Sequence, residues 1–250
     1  MVKCLIALGG NIGATEVVFR SALNRLERPA ISVVGLSNVL STRPVGASAG
    51  EEFLNAAAVL ECDCQAAELL TALHEVEDHF GRVRARHWGP RTLDLDLCLF
   101  GSEVIDTPTL VLPHPAMWYR RFVLDPSVEV ASEMFHPILK RSIHQLHQDL
   151  LRRPLRIALS SEVAWGSMID GKNLMDRMQR RFRSIEWLLP STSITSEAPC
   201  FAGIVLDRAD QKNVGRKQPP HELSRLIRLS VTSMDDASEQ LTQLLVAMLG

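Results

Sequence analysis

Hydrophobic residues follow two different periods in the first hundred residues of this chain. Runs with the continuous or alternating apolar pattern of β-strands are KCLIALGGN, ISVVGLSNVLST, FLNAAAVLEC and TLDLDLCLFG. Positions with the spacing of an amphipathic helix are Val18, Ala22 and Leu26 in one segment and Leu69, Leu73, Val76 and Phe80 in another. Gly81 follows the second segment, where a C-terminal helix cap belongs.

The resulting order of elements is β-α-β-β-α-β, which predicts an α+β fold with a ferredoxin-like antiparallel sheet and helices on one face. The opposite face of such a sheet is left free for a ligand. Residues 136–150 have the pattern of a further helix, and we place a domain boundary near residues 152–154.

The pattern after the boundary predicts a smaller α/β domain. The segments LRIALSS, IEWLLP, GIVLD and RLIRLSV indicate strands, and KNLMDRMQRRF and ASEQLTQLLVAML indicate helices. We therefore expect two domains, residues 1–150 and residues 151–250.

Composition narrows the classes of function. The chain carries 27 Lys and Arg against 29 Asp and Glu, a formal charge of −2, which argues against a general nucleic-acid or membrane-surface binder. Five cysteines without a CxxC pair fit a reducing compartment, and the N-terminal residues do not have the pattern of a signal peptide. We expect a cytoplasmic protein.

The chemistry is concentrated in the strand TLDLDLCLFG. Its period of two places Leu93, Leu95 and Leu97 on one face and Asp94 and Asp96 on the other. Paired carboxylates of this kind suit Mg²⁺, which takes one or two carboxylates together with substrate phosphates. An amphipathic strand with a solvated polar face is the alternative.

An arginine-rich segment, RVRARHWGPR, precedes this strand. The planar guanidinium of Arg binds phosphate through two hydrogen bonds, so Arg82, Arg84, Arg86 and Arg91 indicate a phosphate site. A solvated loop whose first arginines complement a helix dipole is the alternative.

The segment RVRARHWGPRTLDLDL closely resembles the signature of the 6-hydroxymethyl-7,8-dihydropterin pyrophosphokinase family of folate biosynthesis. The resemblance covers about residues 1–135 and includes ALGGNIG, STRPVG, FLNAA and LPHPAMWYRRFVL in the same order. It implies a kinase-type transferase that moves the β,γ-pyrophosphate of ATP to the hydroxymethyl group of a reduced pterin and releases AMP.

The resemblance also implies roles for individual residues. Asp94 and Asp96 would hold two Mg²⁺ ions, and Arg82, Arg91, Asp94 and Asp96 would carry the transfer. The residues that would contact ATP are Arg82, Arg84, Arg91, Leu97, His114 and, after loop movement, Arg120. Asn55 would hydrogen-bond the polar edge of the pterin, and Phe53 and Phe122 would stack on its ring faces. The loop residues that would also contact the pterin are Thr42, Pro44, Val45, Gly46 and Trp88. ATP and the pterin are the expected partners, without nucleic acid or membrane.

This sequence departs from the family pattern in a few places. Phe53 stands where relatives often have Tyr, which keeps the stacking and loses a hydroxyl. The arginine segment is slightly short before Trp88, and Ala85 stands where a basic residue is common, so the phosphate contacts of this segment are open.

The last hundred residues lie outside the resemblance. Residues 166–173, GSMIDGKN, have the outline of a phosphate-binding loop, but Asn173 stands where the Ser or Thr that ligates Mg²⁺ belongs. A reduced nucleoside-kinase-like domain and a structural or dimerising appendage with a chance GxxxxGK outline are both compatible with this pattern. For the first domain, the rival hypothesis is an RNA-binding module, which would need an aromatic-rich sheet strand that the chain lacks.

Overall fold

The computed structural model describes residues 1–42, 52–81, 91–161, 171–188, 201–208 and 225–250. Its internal contacts divide the chain into two compact units, Met1–Gln148 with the terminal Gly250, and Asp149–Leu249. Among the described residues, no helix combines the length and the apolar character that crossing a bilayer needs.

The first unit combines strands and helices. The strands are β1 (Val2–Gly10), β2 (Ile31–Leu36), β3 (Leu40–Thr42), β4 (Phe53–Cys62), β5 (Asp94–Phe100), β6 (Ile105–Asp106), β7 (Val111–Leu112), β8 (Phe135–His136) and β9 (Arg141–Ser142). The helices are α1 (Thr15–Leu26), α2 (Ala66–His79), a 3₁₀ helix (Met117–Tyr119), α3 (Arg121–Ala131) and α4 (Ile143–Leu151), the last of which crosses the boundary between the units.

The main sheet has the strand order β2-β4-β1-β5, and β3 also pairs with β4. Every pair in it is antiparallel. This is the order that a β-α-β-β-α-β chain gives in a ferredoxin-like sheet, so the predicted fold is confirmed. Buried residues of β1, β4 and β5 pack against α1 and α2 in one hydrophobic core that includes Leu8, Leu60, Phe19 and Leu73.

Helix α3 packs against the opposite face of this sheet, mainly on β4. A Cβ atom on Gly35 of β2 would lie 3.7 Å from the Cβ of Val130 in α3, which shows how closely the helix approaches. Sequence patterns did not indicate α3, because Pro126 inside it is a helix breaker in most contexts. The face expected to be free for a ligand is therefore partly covered.

The helix predicted over residues 136–150 is wrong in its first half. Strands β8 and β9 form a hairpin there, and α4 starts only at Ile143. His136 accepts a hydrogen bond from the backbone N–H of Leu139 at its Nδ1, and Lys140 has a φ of 54°. Local side-chain-to-backbone bonds of this kind compete with helix formation.

The second unit contains a parallel sheet in the order β11-β10-β12-β13. Its strands are β10 (Leu155–Ser161), β11 (Ile185–Leu188), β12 (Ala202–Arg208) and β13 (Leu226–Val231), and its helices are α5 (Gly171–Arg181) and α6 (Met234–Leu249). The predicted α/β character is confirmed. In the first turn of α6, Asp236 accepts hydrogen bonds from the Gln240 amide and from the backbone and hydroxyl of Thr232, and these lower its pKa.

Candidate active site

Strand β5 carries the two aspartates at the edge of the main sheet. Leu93, Leu95 and Leu97 are buried in the core under the helices, whereas Asp94 and Asp96 are half-buried on the other face. The predicted alternation is therefore confirmed up to Leu97. Beyond it the pairing with β1 shifts by one residue.

A row of paired residues crosses three strands on the aspartate face. Gly9 of β1 pairs with Asn55 of β4 on one side and with Asp94 of β5 on the other. A Cβ atom on Gly9 would lie 3.7 Å from the Asn55 Oδ1 and 3.8 Å from the Asp94 Cβ. Only the glycine backbone therefore lies between an amide and a carboxylate that are 39 residues apart in the sequence, with room for a methyl group in ordinary van der Waals contact.

The Asn55 side chain is held by the protein through its nitrogen. Its Nδ2 donates to the Thr42 Oγ1 at 2.8 Å and to the Phe53 carbonyl at 3.3 Å. Because a carbonyl can only accept, the Phe53 contact fixes the orientation of the amide. Both donors are thus directed at neighbouring residues, and within the described part of the chain the Oδ1 is the atom left to accept from a ligand.

Asn11 and Gly10 tie the start of β5 to the end of β1. The Asn11 Oδ1 accepts the Arg91 N–H at 2.9 Å, and the Asn11 N–H donates to the Arg91 carbonyl at 3.0 Å. A Cβ on Gly10 would come within 2.6 Å of the Thr92 carbonyl oxygen, so this close approach requires glycine. Sequence patterns did not indicate either role.

The Arg91 guanidinium pairs with Asp94. Its Nη1 lies 2.5 Å from the Asp94 Oδ2, and both side chains are about one-fifth exposed. The arginine assigned to phosphate is therefore next to the carboxylate assigned to metal, and each is largely sheltered from water.

His114 lies beside Asp96 with its imidazole neutral. Burial lowers the pKa of His114. The charge of Asp96 acts to raise this pKa, and the charge of Arg120 acts to lower it further. The Nδ1 accepts the Ala116 N–H at 3.1 Å, which places the ring proton on Nε2 as a donor. The His114 N–H donates to the Cys98 carbonyl at 3.0 Å, at the point where the pairing of β5 shifts.

A cavity of about 300 Å³ opens along the edge of β5. Asp96, Leu97 and His114, all assigned to ATP or metal, lie in its wall. The other lining residues were not assigned to the site from the sequence: Leu95 of β5, Leu70 and His74 of α2, and Thr109, Leu110, Val111 and Pro115 in the segment around β7.

The aromatic residues assigned to the pterin lie towards the Asn55 side. Phe53 has the same parity as Asn55 along β4 and so shares its face, and Phe122 lies in the first turn of α3, which packs on β4. The Arg120 guanidinium lies 5.5 Å from the centre of the Phe122 ring, within cation–π range. Arg120 is therefore held by an aromatic neighbour here.

Several predicted site residues lie outside the described residues: Pro44, Val45, Gly46, Arg82, Arg84 and Trp88. The outline of a phosphate-binding loop at residues 166–173 lies outside them up to residue 170. Among the residues that the structure does describe, no group of three or more His, Cys, Asp or Glu side chains could hold a metal ion. A metal at Asp94 and Asp96 would therefore take its remaining ligands from substrate or water.

Residues 5–132 match the family model described as 7,8-dihydro-6-hydroxymethylpterin-pyrophosphokinase. The chain is 41% identical over 130 residues to the 2-amino-4-hydroxy-6-hydroxymethyldihydropteridine pyrophosphokinase of Bacillus subtilis, which covers 52% of this chain and 78% of the relative. It is 36% identical over 138 residues to the protein of the same name from Haemophilus influenzae, with coverages of 55% and 86%.

Among solved structures, a crystal structure of Plasmodium falciparum HPPK-DHPS with pteroate is similar at 11% identity and a TM-score of 0.48. The alignment covers 84% of this chain and 63% of that one, so the chain spans less than two thirds of the solved protein.

Proposed function

Because this chain belongs to the 7,8-dihydro-6-hydroxymethylpterin-pyrophosphokinase family, we propose that the face of β1, β4 and β5 described above binds the two substrates of that reaction. The activity is the transfer of pyrophosphate from ATP to 6-hydroxymethyl-7,8-dihydropterin, with release of AMP, in folate biosynthesis. The observation that carries the proposal is the row Asn55, Gly9 and Asp94. It puts an amide acceptor and a metal-type carboxylate on one face, with no side chain between them because the intervening residue is glycine.

The two aspartates suit Mg²⁺. They are half-buried, lie two residues apart on one strand face, and offer only carboxylate oxygens. Mg²⁺ is commonly bound by one or two carboxylates together with substrate phosphates, so a third protein ligand is not needed. We propose two Mg²⁺ ions at Asp94 and Asp96. When bound, they would neutralise charge on the triphosphate.

Arg91 and His114 flank these carboxylates with donors for phosphate. The Arg91 guanidinium, which pairs with Asp94 in this structure, would exchange this carboxylate for phosphate oxygens. The Nε2–H of the neutral His114 would donate to a phosphate oxygen. These side chains orient the triphosphate and counter its charge, which is most of what a phosphoryl-type transfer to a primary alcohol requires.

The pterin would bind at the other end of the row. The Asn55 Oδ1 is placed to accept an N–H from the polar edge of the ring, while Thr42 and the Phe53 carbonyl hold the amide. Phe53 and Phe122 supply aromatic faces for a flat heterocycle. The cavity along β5, with Leu97 and His74 in its wall, would hold the nucleotide.

We propose that residues 1–150 form the pyrophosphokinase domain and that residues 151–250 are an α/β extension without a part in the transfer. Each residue assigned to chemistry lies between Thr42 and Phe122. A cytoplasmic location is likewise a proposal, which rests on the cysteine content.

The direct test is to incubate the protein with ATP, Mg²⁺ and the reduced pterin alcohol and to identify the nucleotide product. We expect AMP; ADP or an absence of turnover would refute the proposal. Asp94→Asn and Asp96→Asn should each lower turnover at least a hundredfold, since losing a key electrostatic contact costs about 3 kcal/mol or more. Asp63→Asn, at an exposed aspartate just beyond β4, is the matched control and should leave the rate unchanged.

A further inference from the structure

Helix α2 carries one acidic side chain into the core. Glu77 has 0% of its surface exposed, and it lies on the buried face of α2 with Leu73 and Val76. Its Oε1 accepts a hydrogen bond from the backbone N–H of Leu95 at 2.7 Å. A buried carboxylate is costly, and an apolar residue at this position would pack in the core without that cost.

The bonded amide is that of the residue between the two aspartates. Leu95 lies in β5, which is an edge strand of the main sheet as described, and it pairs with Leu8 of β1 on its inner side. The outer side of an edge strand lacks a neighbouring strand to accept its N–H groups. The Glu77 Oε1 supplies an acceptor there.

The same helix face forms one wall of the nucleotide cavity. Leu70, His74 and Glu77 are spaced by four and three residues, so they lie one above another on α2. Leu70 and His74 line the cavity together with Asp96. The Glu77–Leu95 bond therefore fixes the aspartate strand to the wall against which the nucleotide would bind.

We propose that Glu77 is a positioning residue that holds the backbone of Asp94, Leu95 and Asp96 in the arrangement that binds the metal ions and the triphosphate. This inference rests on the proposed function of the two aspartates. Glu77 would act through the backbone of β5, without touching substrate. Groups that orient metal ligands are commonly worth about 10–100-fold in metal affinity, which is the effect expected here.

The test compares Glu77→Leu with Glu77→Gln in the full chain. Leu removes the acceptor, and Gln keeps a carbonyl oxygen at the same place. One readout needs neither metal nor substrate: hydrogen exchange of the Leu95 amide, measured by NMR. The others are binding of Mn²⁺ in the presence of a non-hydrolysable ATP analogue, and the Mg²⁺ concentration that gives half-maximal AMP formation.

For Glu77→Leu we expect exchange of the Leu95 amide to rise at least tenfold and the half-saturating metal concentration to rise about 10–100-fold, with the pterin KM within twofold. For Glu77→Gln, both the exchange rate of the Leu95 amide and the half-saturating metal concentration should stay close to the wild-type values. Glu75→Leu and Glu75→Gln, at an exposed position of the same helix, are matched controls that should change neither. If Glu77→Leu does not fold, Glu77→Asp makes the same test, because its shorter side chain withdraws the acceptor.

Unchanged metal dependence in a folded variant with a freely exchanging Leu95 amide would overturn the inference. Equal defects in the Gln and Leu variants would also overturn it, since the hydrogen bond would then not be the operative feature. Asp96→Asn, assayed alongside, separates the two proposals. If Asp96→Asn keeps wild-type metal dependence, the metal site itself is misassigned, whatever Glu77 does.

Discussion

Replacing Asn55 by Ala should weaken pterin binding and leave ATP binding nearly unchanged. The side chain is 6% exposed, and its Nδ2 donates to Thr42 and to the Phe53 carbonyl, so the amide is fixed before a ligand arrives. Its loss removes the acceptor at Oδ1, and a pterin N–H buried without a partner costs about 1–3 kcal/mol. At about 1.4 kcal/mol per tenfold change, the dissociation constant for the pterin should rise about 5–150-fold.

Titration calorimetry measures this effect. The protein is first saturated with a non-hydrolysable ATP analogue and Mg²⁺, and the pterin alcohol is then added. Thr42→Val, which removes the hydroxyl that holds the amide and keeps the side-chain shape, should give a smaller loss, and Thr42→Ser should bind as the wild type does. A loss of pterin affinity below twofold, or equal losses for the pterin and the ATP analogue, would show that Asn55 does not recognise the pterin.

Three further predictions concern other parts of the chain. A methyl group fits on Gly9 in van der Waals contact with Asn55 and Asp94, so Gly9→Ala should keep the melting temperature and lose pterin affinity. Gly10→Ala, with its 2.6 Å clash, should unfold at a lower temperature. A fragment of residues 1–150 and the full-length Lys172→Ala variant should both form AMP at wild-type rates; a folded fragment that binds ATP without transfer would contradict the domain proposal. Hydrogen bonds lower the pKa of Asp236, so this carboxylate stabilises the fold above the ordinary Asp pKa near 3.8. That stabilisation is lost as the pH falls through the lower pKa of the folded state. Chemical denaturation should therefore show a smaller fall of the unfolding free energy with acid for Asp236→Asn than for the wild type.

The main sheet was predictable from the sequence because its strands have unambiguous patterns. Residues 53–62 form a nearly continuous apolar run, which is typical of a buried strand, and the structure gives strand Phe53–Cys62 with the same bounds. The errors arise where local interactions overrule the pattern. Residues 136–142 were predicted as the first half of a helix, but the His136 side chain stabilises a turn there instead. The pattern did not predict α3 because Pro126 lies inside it. Within that helix the Ser127 hydroxyl donates a hydrogen bond to the Val123 carbonyl.

The candidate site was predictable only as a set of residues. Strand periodicity alone places Asp94 and Asp96 on one face. The position of Asn55 opposite Asp94 across Gly9 depends on the register of two strand pairs, and local patterns do not determine that register. The Arg91–Asp94 pair and the Asn11 contacts depend on the same register. Glu77 did leave a signal in the sequence, since it stands four residues after Leu73 on an otherwise apolar helix face.

Under the proposed function, the row across β4, β1 and β5 also sets a length for the substrate. Neighbouring strands lie about 4.8 Å apart, so Asn55 and Asp94 are separated by about 10 Å measured across the sheet. A molecule held at its polar edge by Asn55 reaches the phosphates only if its alcohol stands at the matching distance from that edge. Analogues with a longer or shorter arm should therefore bind as inhibitors and react poorly. Side-chain substitutions within the pocket cannot correct the mismatch, because the spacing belongs to the hydrogen-bonded backbone.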